Sequence, residues 1–292
     1  MVHRRCLNGT GGCSDHPYRL TARGAVEPLQ TAYADDIAGR LPEGWLTAKG
    51  IQLEPDVLSA RAAVYLPADA NCCPSFVADM RLRVVGDSLV ADSIALEPEA
   101  GGLWRIEPGK RFGPIGPETS EAQVREQFGR TSTQPSDVHI GEGFCAPGLR
   151  VFPGTPWEIE VVWADTMRAR PAFVRTAAAG TEWHTPTGVR VGSTLAELER
   201  MHGGPVEFSG FGWDYGGRLR WQEDSGEVLL QLAIDPESMP RLTELASTDR
   251  RVDEISGDRT VQSDHPIVRQ IDIQVTGLEI HWDRVWNSRD CE

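Results

Sequence analysis

In residues 26–41, VEPLQTAYADDIAGRL, the apolar side chains Leu29, Tyr33, Ile37 and Leu41 fall four residues apart. That spacing draws one stripe along a helix. Gly39 near its end and Pro42 just beyond supply the stop. The pattern then changes to alternation. Ala60–Leu66, Phe76–Val85 and Ser88–Leu96 read as strands, and the clean alternation of Met80-Arg81-Leu82-Arg83-Val84 predicts one wet sheet face. Gly86-Asp87 joins the last two strands as a hairpin. Residues 25–97 are therefore expected to form a small α+β domain, a helix on an antiparallel sheet. The segment EPEAGG, around 97–102, reads as a linker.

Residues 103–292 carry an internal repeat. Ser120-Glu-Ala-Gln-Val-Arg-Glu-Gln-Phe-Gly129 matches Thr194-Leu-Ala-Glu-Leu-Glu-Arg-Met-His-Gly203. Each opens with a hydroxyl residue followed three positions later by Gln123 or Glu197, the pattern of a capping box. Each ends on a glycine suited to a left-handed stop. Val124 with Phe128, and Leu195 with Leu198, give each short helix a buried face. The strand-like segments downstream of the two helices match as well: Val138-His-Ile140 with Val206-Glu-Phe208, Gly148–Phe152 with Gly217–Trp221, and Trp157–Trp163 with Glu227–Leu232. Each copy, about 115–165 and 188–235, reads as a helix followed by three antiparallel strands. The two are expected to share one sheet. Ile271, Ile273 and Val275 alternate, then Leu278, Ile280 and Trp282 alternate out of phase across Thr276-Gly277. This predicts a closing strand at about 268–283 with a bulge at the glycine. Between them, 236–266 reads as loops with one helix at Pro240–Ala246.

The fold class expected is thus α+β in two parts, preceded by an arm at residues 1–24 that is flexible or held by disulfides. The chain has 292 residues, 30 glycines and 20 prolines, which suits short elements and many turns. Its formal charge of −14 disfavours a nucleic-acid partner, since phosphates would be repelled. No apolar run is long enough for a transmembrane helix.

The cysteines are Cys6, Cys13, Cys72, Cys73, Cys145 and Cys291, with no CxxC among them. An even count in a turn-rich acidic chain points to disulfides and an extracytoplasmic setting. Six cysteines allow fifteen pairings; one of them joins Cys6 with Cys13, the nearest candidates, on the arm, and Cys145 with Cys291, tying the last segment to the middle. Adjacent Cys72 and Cys73 should each bond elsewhere than to one another. The opening MVHRRCLNGTGGCSDHPYRL has no apolar core of an export signal, so the chain reads as a fragment or a misplaced start, with a cytoplasmic protein of free thiols as the alternative.

The twin segments Ser120–Gly129 and Thr194–Gly203 resemble the helix-turn opening of the tandem units in the beta-lactamase inhibitory protein and small outer-membrane-assembly lipoprotein folds. Gly188-Val-Arg-Val-Gly-Ser-Thr-Leu-Ala-Glu-Leu198 with Gly210-Phe-Gly-Trp-Asp-Tyr-Gly-Gly217, and the later Ile255–Asp264, resembles a group of uncharacterised bacterial envelope lipoproteins across roughly 103–283. Cys72-Cys73-Pro74-Ser75 ahead of an alternating strand is similar to a domain of mycobacterial-type envelope lipoproteins over about 25–97. These resemblances imply helices packed on a curved antiparallel sheet and a secreted or periplasmic place in the cell envelope. They carry no catalytic residue onto this chain, and Cys6 lacks the apolar stretch that would precede a lipidated cysteine.

The densest local feature is Phe208-Ser-Gly-Phe-Gly-Trp-Asp-Tyr-Gly-Gly217. One reading makes Phe211, Trp213 and Tyr215 a stacking platform for a glycan or peptide, with Asp214 accepting hydrogen bonds. The rival is a tight turn whose Trp213 plugs the core and whose Asp214 caps backbone amides. His139, Glu142 and Phe144 occupy the equivalent loop of the first copy, so the two loops can face a common groove. Asp214, Glu142 and Glu223 are the carboxylates a glycosidase would need, but no spacing brings them together. His3, His16, His139, His184, His202, His265 and His281 are dispersed without metal-ligand spacing, and no nucleotide-binding or nucleophile-elbow motif occurs. No cofactor is expected. The function expected is a non-catalytic extracytoplasmic binding or envelope-scaffold protein with a protein or glycan partner. The alternatives are a hydrolase of envelope glycan or peptide and a purely structural module.

Overall fold

The computed structural model describes residues 2–6, 13–42, 44–67, 69, 74–99 and 104–291. They fall into two units, Met1–Leu103 with Glu126–Thr131, and Trp104–Arg125 with Ser132–Glu292. The architecture is mixed α+β with several antiparallel sheets. No helix among the described residues is long and apolar enough to cross a membrane.

In the first unit, strands β1 (Val2–Cys6), β2 (Cys13–Leu20) and β3 (Val26–Pro28) form a three-stranded sheet. Cys6 lies opposite Cys13 in its register. The side chains of these two cysteines, and all of Cys72 and Cys73, lie outside the described residues, as does the second half of the expected linker, 100–102. Helix α1 covers Tyr33–Arg40, a shorter span than the apolar stripe predicts. The late start follows from the use of the preceding residues in a sheet, where Val26–Pro28 pair with β2. The amides of Leu29 and Gln30 are instead used by the carbonyls of Pro17 and Asp87. Leu41 is extended ahead of Pro42, which ends the helix as expected.

Strands β4 (Leu46–Glu54), β5 (Ser59–Tyr65), β6 (Phe76–Val85) and β7 (Ser88–Pro98) follow in that order across one sheet. Phe76, Ala78, Met80 and Leu82 are buried, while Arg81 and Arg83 are exposed, so the alternation does produce a wet face. On that face Arg61 Nε meets Asp79 Oδ1 at 2.7 Å. On the apolar face α1 buries Tyr33 and Ile37 against β7 and β4. Asp36 fixes its height by accepting from the Ala91 amide at 2.8 Å. Sequence pattern misses β4 because its pairing slips between Thr47 and Ile51, which breaks the alternation.

The second unit opens with the small hairpin β8 (Ile106–Glu107) and β9 (Arg111–Phe112). Helix α2 (Glu121–Phe128) is followed by β10 (Thr133–Gly141), β11 (Phe144–Val151), β12 (Ile159–Trp163) and β13 (Pro171–Thr176). Helix α3 (Leu195–His202) is followed by β14 (Glu207–Ser209), β15 (Arg218–Glu223) and β16 (Gly226–Ile234). Then come α4 (Met239–Thr248), β17 (Thr260–Gln262), β18 (Ile273–His281) and β19 (Arg289–Asp290). The main sheet runs β10-β11-β12-β13-β18-β16-β15, with β19 added beside β11.

Both expected capping boxes are present. The Ser120 amide donates to Gln123 Oε1 at 2.8 Å and the Gln123 amide to Ser120 Oγ at 3.4 Å. The Thr194 amide donates to Glu197 Oε2 at 2.8 Å and the Glu197 amide to Thr194 Oγ1 at 3.2 Å. Gly129 and Gly203 take the left-handed φ values of 87° and 84° that end the turns. The bulge also falls where the phase flips. Gln231 faces Gly277 and Leu232 faces Val275, leaving Thr276 as the extra residue, whose hydroxyl donates to the Gln231 carbonyl at 3.2 Å.

Two further features differ from expectation. Strand β14 leaves the main sheet and pairs with β17. Gly210 is the cause: its amide donates to the Arg259 carbonyl at 2.8 Å, and a Cβ there would lie 2.6 Å from the Gly257 carbonyl oxygen. Only glycine lets the two backbones approach so closely. The second difference is β13, which is buried on both faces and so shows no alternation to read.

The sheet's main core face carries Leu149, Val161, Val174, Leu230 and Ile280, all fully buried. An aromatic cluster lies in the same unit, where Trp183 packs edge-on to Trp104 at 5.0 Å between ring centroids and donates Nε1 to the Trp157 carbonyl. On the other face, Val138, Ala146, Val162, Ala164, Ala172 and Phe173 form a second apolar cluster, with Val285 of the returning tail packed on it. The tail is secured by β19 pairing with β11 and by the Cys145–Cys291 disulfide, as the cysteine pattern predicts.

That bridge closes a loop of 146 residues. Replacing both cysteines by serine should cost about 2–4 kcal/mol in urea unfolding. A loss below about 0.5 kcal/mol would mean that strand pairing alone retains the tail.

Candidate binding site

Five strands present their second-face side chains in one row. Register places Glu160 on β12 opposite Arg175 on β13, Arg175 opposite Glu279 on β18, and Glu279 opposite Leu229 on β16. Leu229 in turn faces Arg220 on β15. Charges therefore alternate along the row, which is the arrangement that cross-strand pairing favours. Arg175 donates Nε to Glu160 Oε2 at 2.8 Å and Nη2 to the His139 carbonyl at 2.9 Å. Arg150 reaches the other Glu160 oxygen at 3.2 Å. Glu279 accepts from His281.

Glu160, Arg175, Glu279 and Leu229 of this row, with Arg218, floor a cavity of about 510 Å³, together with Thr176, Gln231, Thr276 and Leu278. His139, Ile140 and Gly141 from the β10–β11 hairpin, and Asp214 from the aromatic turn, complete its wall. The two loops meet directly: the Glu142 amide donates to Asp214 Oδ2 at 2.9 Å. Glu142 can present that amide because it sits at φ 52° between Gly141 and Gly143, at φ 108° and 79°. The Tyr215 ring lies against Gly141. Burial, then the neighbouring Glu142 carboxylate, holds the Tyr215 hydroxyl above its ordinary pKa.

Arg218 stands out among these groups. Its guanidinium lies 4.6 Å from the Tyr215 ring centroid, a cation–π contact. Its Nε is buried and has no hydrogen-bond partner. Burial opposes ionisation of Glu279. The hydrogen bond from His281 and the fields of His281, Arg175 and Arg218 outweigh it, so Glu279 stays below the usual carboxylate range.

The candidates from sequence divide into those at the mouth and those elsewhere. Glu142, Asp214 and Tyr215 come together as the clasp. Trp213 does not plug the core. It is 36% exposed, edge-on to Tyr215 at 5.3 Å, and donates Nε1 to the Gly210 carbonyl at 2.9 Å. Phe211 turns away and packs on Phe208 at 5.5 Å. Phe144 is exposed at the hairpin and pairs through its backbone with Asp290. Glu223 is apart from the clasp, bonded to Thr187 and Trp221. Cys145 is bridged to Cys291, which rules out the free thiol that a nucleophile requires. Among the described residues, no cluster of three or more His, Cys, Asp or Glu is set to hold a metal ion.

Sequence reasoning does not find Glu160, Arg175, Arg218 or Glu279. Their signal is charge on strands whose opposite face is apolar, and only the strand order gathers them. No family model, curated protein or solved structure matches this chain.

Asp214→Ala should release the hairpin tip, raising hydrogen exchange at the Glu142 amide about tenfold or more while global stability changes by less than about 1 kcal/mol. Unchanged exchange there would mean the clasp does not hold in solution. Glu279, with its folded pKa depressed, contributes stability that is present above its unfolded value near 4.5 and is lost as pH falls through the folded value. Glu279→Gln should therefore show a shallower fall in melting temperature than the parent as pH drops below about 4.5.

Proposed function

We propose that this protein is a non-catalytic binding protein of the extracytoplasmic envelope, and that its ligand, a protein segment or glycan, sits in the cavity beneath the clasp. The observation that carries this reading is the Glu142–Asp214 hydrogen bond across the mouth of a concave, charge-lined floor. Exposed Trp213, edge-on to Tyr215, flanks the wall residue Asp214 in sequence and offers an aromatic surface beside it, the usual companion of polar groups in glycan and peptide sites. The Cys145–Cys291 bridge supports an oxidising compartment.

We further propose that the α2 and α3 segments are tandem copies of one helix-plus-meander unit, akin to the inhibitory-protein and assembly-lipoprotein folds. The matched capping boxes and left-handed glycine stops support it. The departure of β14 from the main sheet marks where the second copy has diverged.

Trp213→Ala tests the binding reading. On arrays of envelope glycans and envelope-protein peptides, the parent should retain a ligand that the variant binds at least about tenfold more weakly, with the melting midpoint unchanged within about 2 °C. Unchanged binding together with a drop of many degrees would assign Trp213 to packing and overturn the proposal.

A further inference from the structure

A second groove, of about 700 Å³, lies between β15 on one side and β14 with β17 on the other. Strand β15 is the end of the main sheet and, among the described residues, pairs only with β16. Its ladder phase is set by the turn Asp224-Ser225, since Glu223 and Gly226 flank it as a directly facing pair. Residues flanking a two-residue hairpin turn exchange both ladder bonds. Alternation then sends the N–H and C=O groups of Arg218, Arg220 and Gln222 away from β16, into the groove.

The facing edge has the same character. Val206 exchanges bonds with Ser263, and the Gly210 amide bonds to Arg259, so the even positions of β14 face β17. Glu207 and Ser209 face β15. The Ser209 carbonyl accepts from the Gly217 amide at 2.8 Å, which closes the groove at that end. Beyond it the strands form no ladder, and the outward backbone groups of Glu207, Arg220 and Gln222 have no backbone partner among the described residues. Unpaired strand edges of this kind are templates for another strand.

The side chains select the occupant. Arg218 and Arg220 stand on the groove side, and Arg218 has no hydrogen-bond acceptor for its buried Nε. Arg220 has only an exposed contact to Glu227 at 3.1 Å. Glu207 is already engaged by Gln262. With Arg218 and Arg220 against Glu207 on its lining, in a chain of net charge −14, the groove is locally basic. A second copy would fit badly, because two-fold antiparallel pairing about Arg220 sets two arginines opposite one another.

We propose that the free edge of β15 binds an extended peptide segment of a partner protein by strand addition, with acidic side chains of that segment facing Arg218 and Arg220. This surface shares Arg218 and Leu229 with the cavity beneath the clasp and is otherwise separate from it, so either reading can fail alone.

The test uses the peptide acetyl-Val-Glu-Val-Glu-Val-amide and its lysine counterpart, acetyl-Val-Lys-Val-Lys-Val-amide, with amide hydrogen exchange on the full chain. The acidic peptide should slow exchange at Glu207, Arg220 and Gln222 by about tenfold or more, and the lysine peptide should not. Gln222→Pro removes one outward N–H at a position where an edge strand accepts proline, and should abolish the protection that Gln222→Ala retains. If Gln222→Pro does not fold, Arg220→Glu should exchange the preference from the acidic to the basic peptide. Absence of protection at millimolar acidic peptide would overturn the proposal, as would equal protection by both peptides. Concentration-dependent protection of these amides without peptide would assign the edge to a second copy instead.

Discussion

The second unit depends on one strand, β18, lying antiparallel between β13 and β16. Its two rows of backbone bonds are the seam that makes a single sheet of the strands after α2 and those after α3. Without it, β13 and β16 would each present an unpaired edge in the middle of the hydrophobic core. The seam also sets phase. Thr276 is squeezed out of the pairing with β16, which lets Val275 and Leu278 both stay buried although they lie an odd number of residues apart. Beyond the slip, Glu279 lies on the second face, opposite Arg175 and Leu229, while Val275 before it stays on the core face.

Local pattern is readable where one face of an element is wet. The β6–β7 hairpin, both capped helices, the phase flip at Thr276-Gly277 and the Cys145–Cys291 bridge are all legible in residue order. Strands β4 and β13 are not, for opposite reasons: a slipped register scrambles the first, and burial on both faces removes the contrast in the second. The clasp is partly legible, since the equivalence of the two segments lets their loops face a common groove, although no spacing pairs Glu142 with Asp214. Its floor is not. Glu160, Arg175, Arg218 and Glu279 come from strands up to 119 positions apart in the chain (160 to 279), and no local spacing encodes sheet order.

The distribution of charge gives the two surfaces different characters. On the cavity floor, Glu160 and Glu279 each sit opposite Arg175, so acidic groups are held by a shared cation. Arg218 lies at the boundary of both hollows and is the cation left without an acceptor for its buried nitrogen. A buried guanidinium nitrogen lacking an acceptor is costly in the free protein, and any carbonyl or carboxylate brought to it recovers that cost. This makes Arg218 the position where affinity is most easily gained.

The placement of β18 also bears on how the chain is made. Residues 273–281 are synthesised after every other strand of the main sheet except β19, yet they belong at its centre. While the ribosome is still producing them, the earlier strands can collapse only into two separate ribbons with raw inner borders. Oxidation of Cys145 with its correct mate must wait longer still, until Cys291 emerges. A nascent chain of this kind is most exposed to mispairing before β18 is in place, which is where a chaperone would have the most to guard.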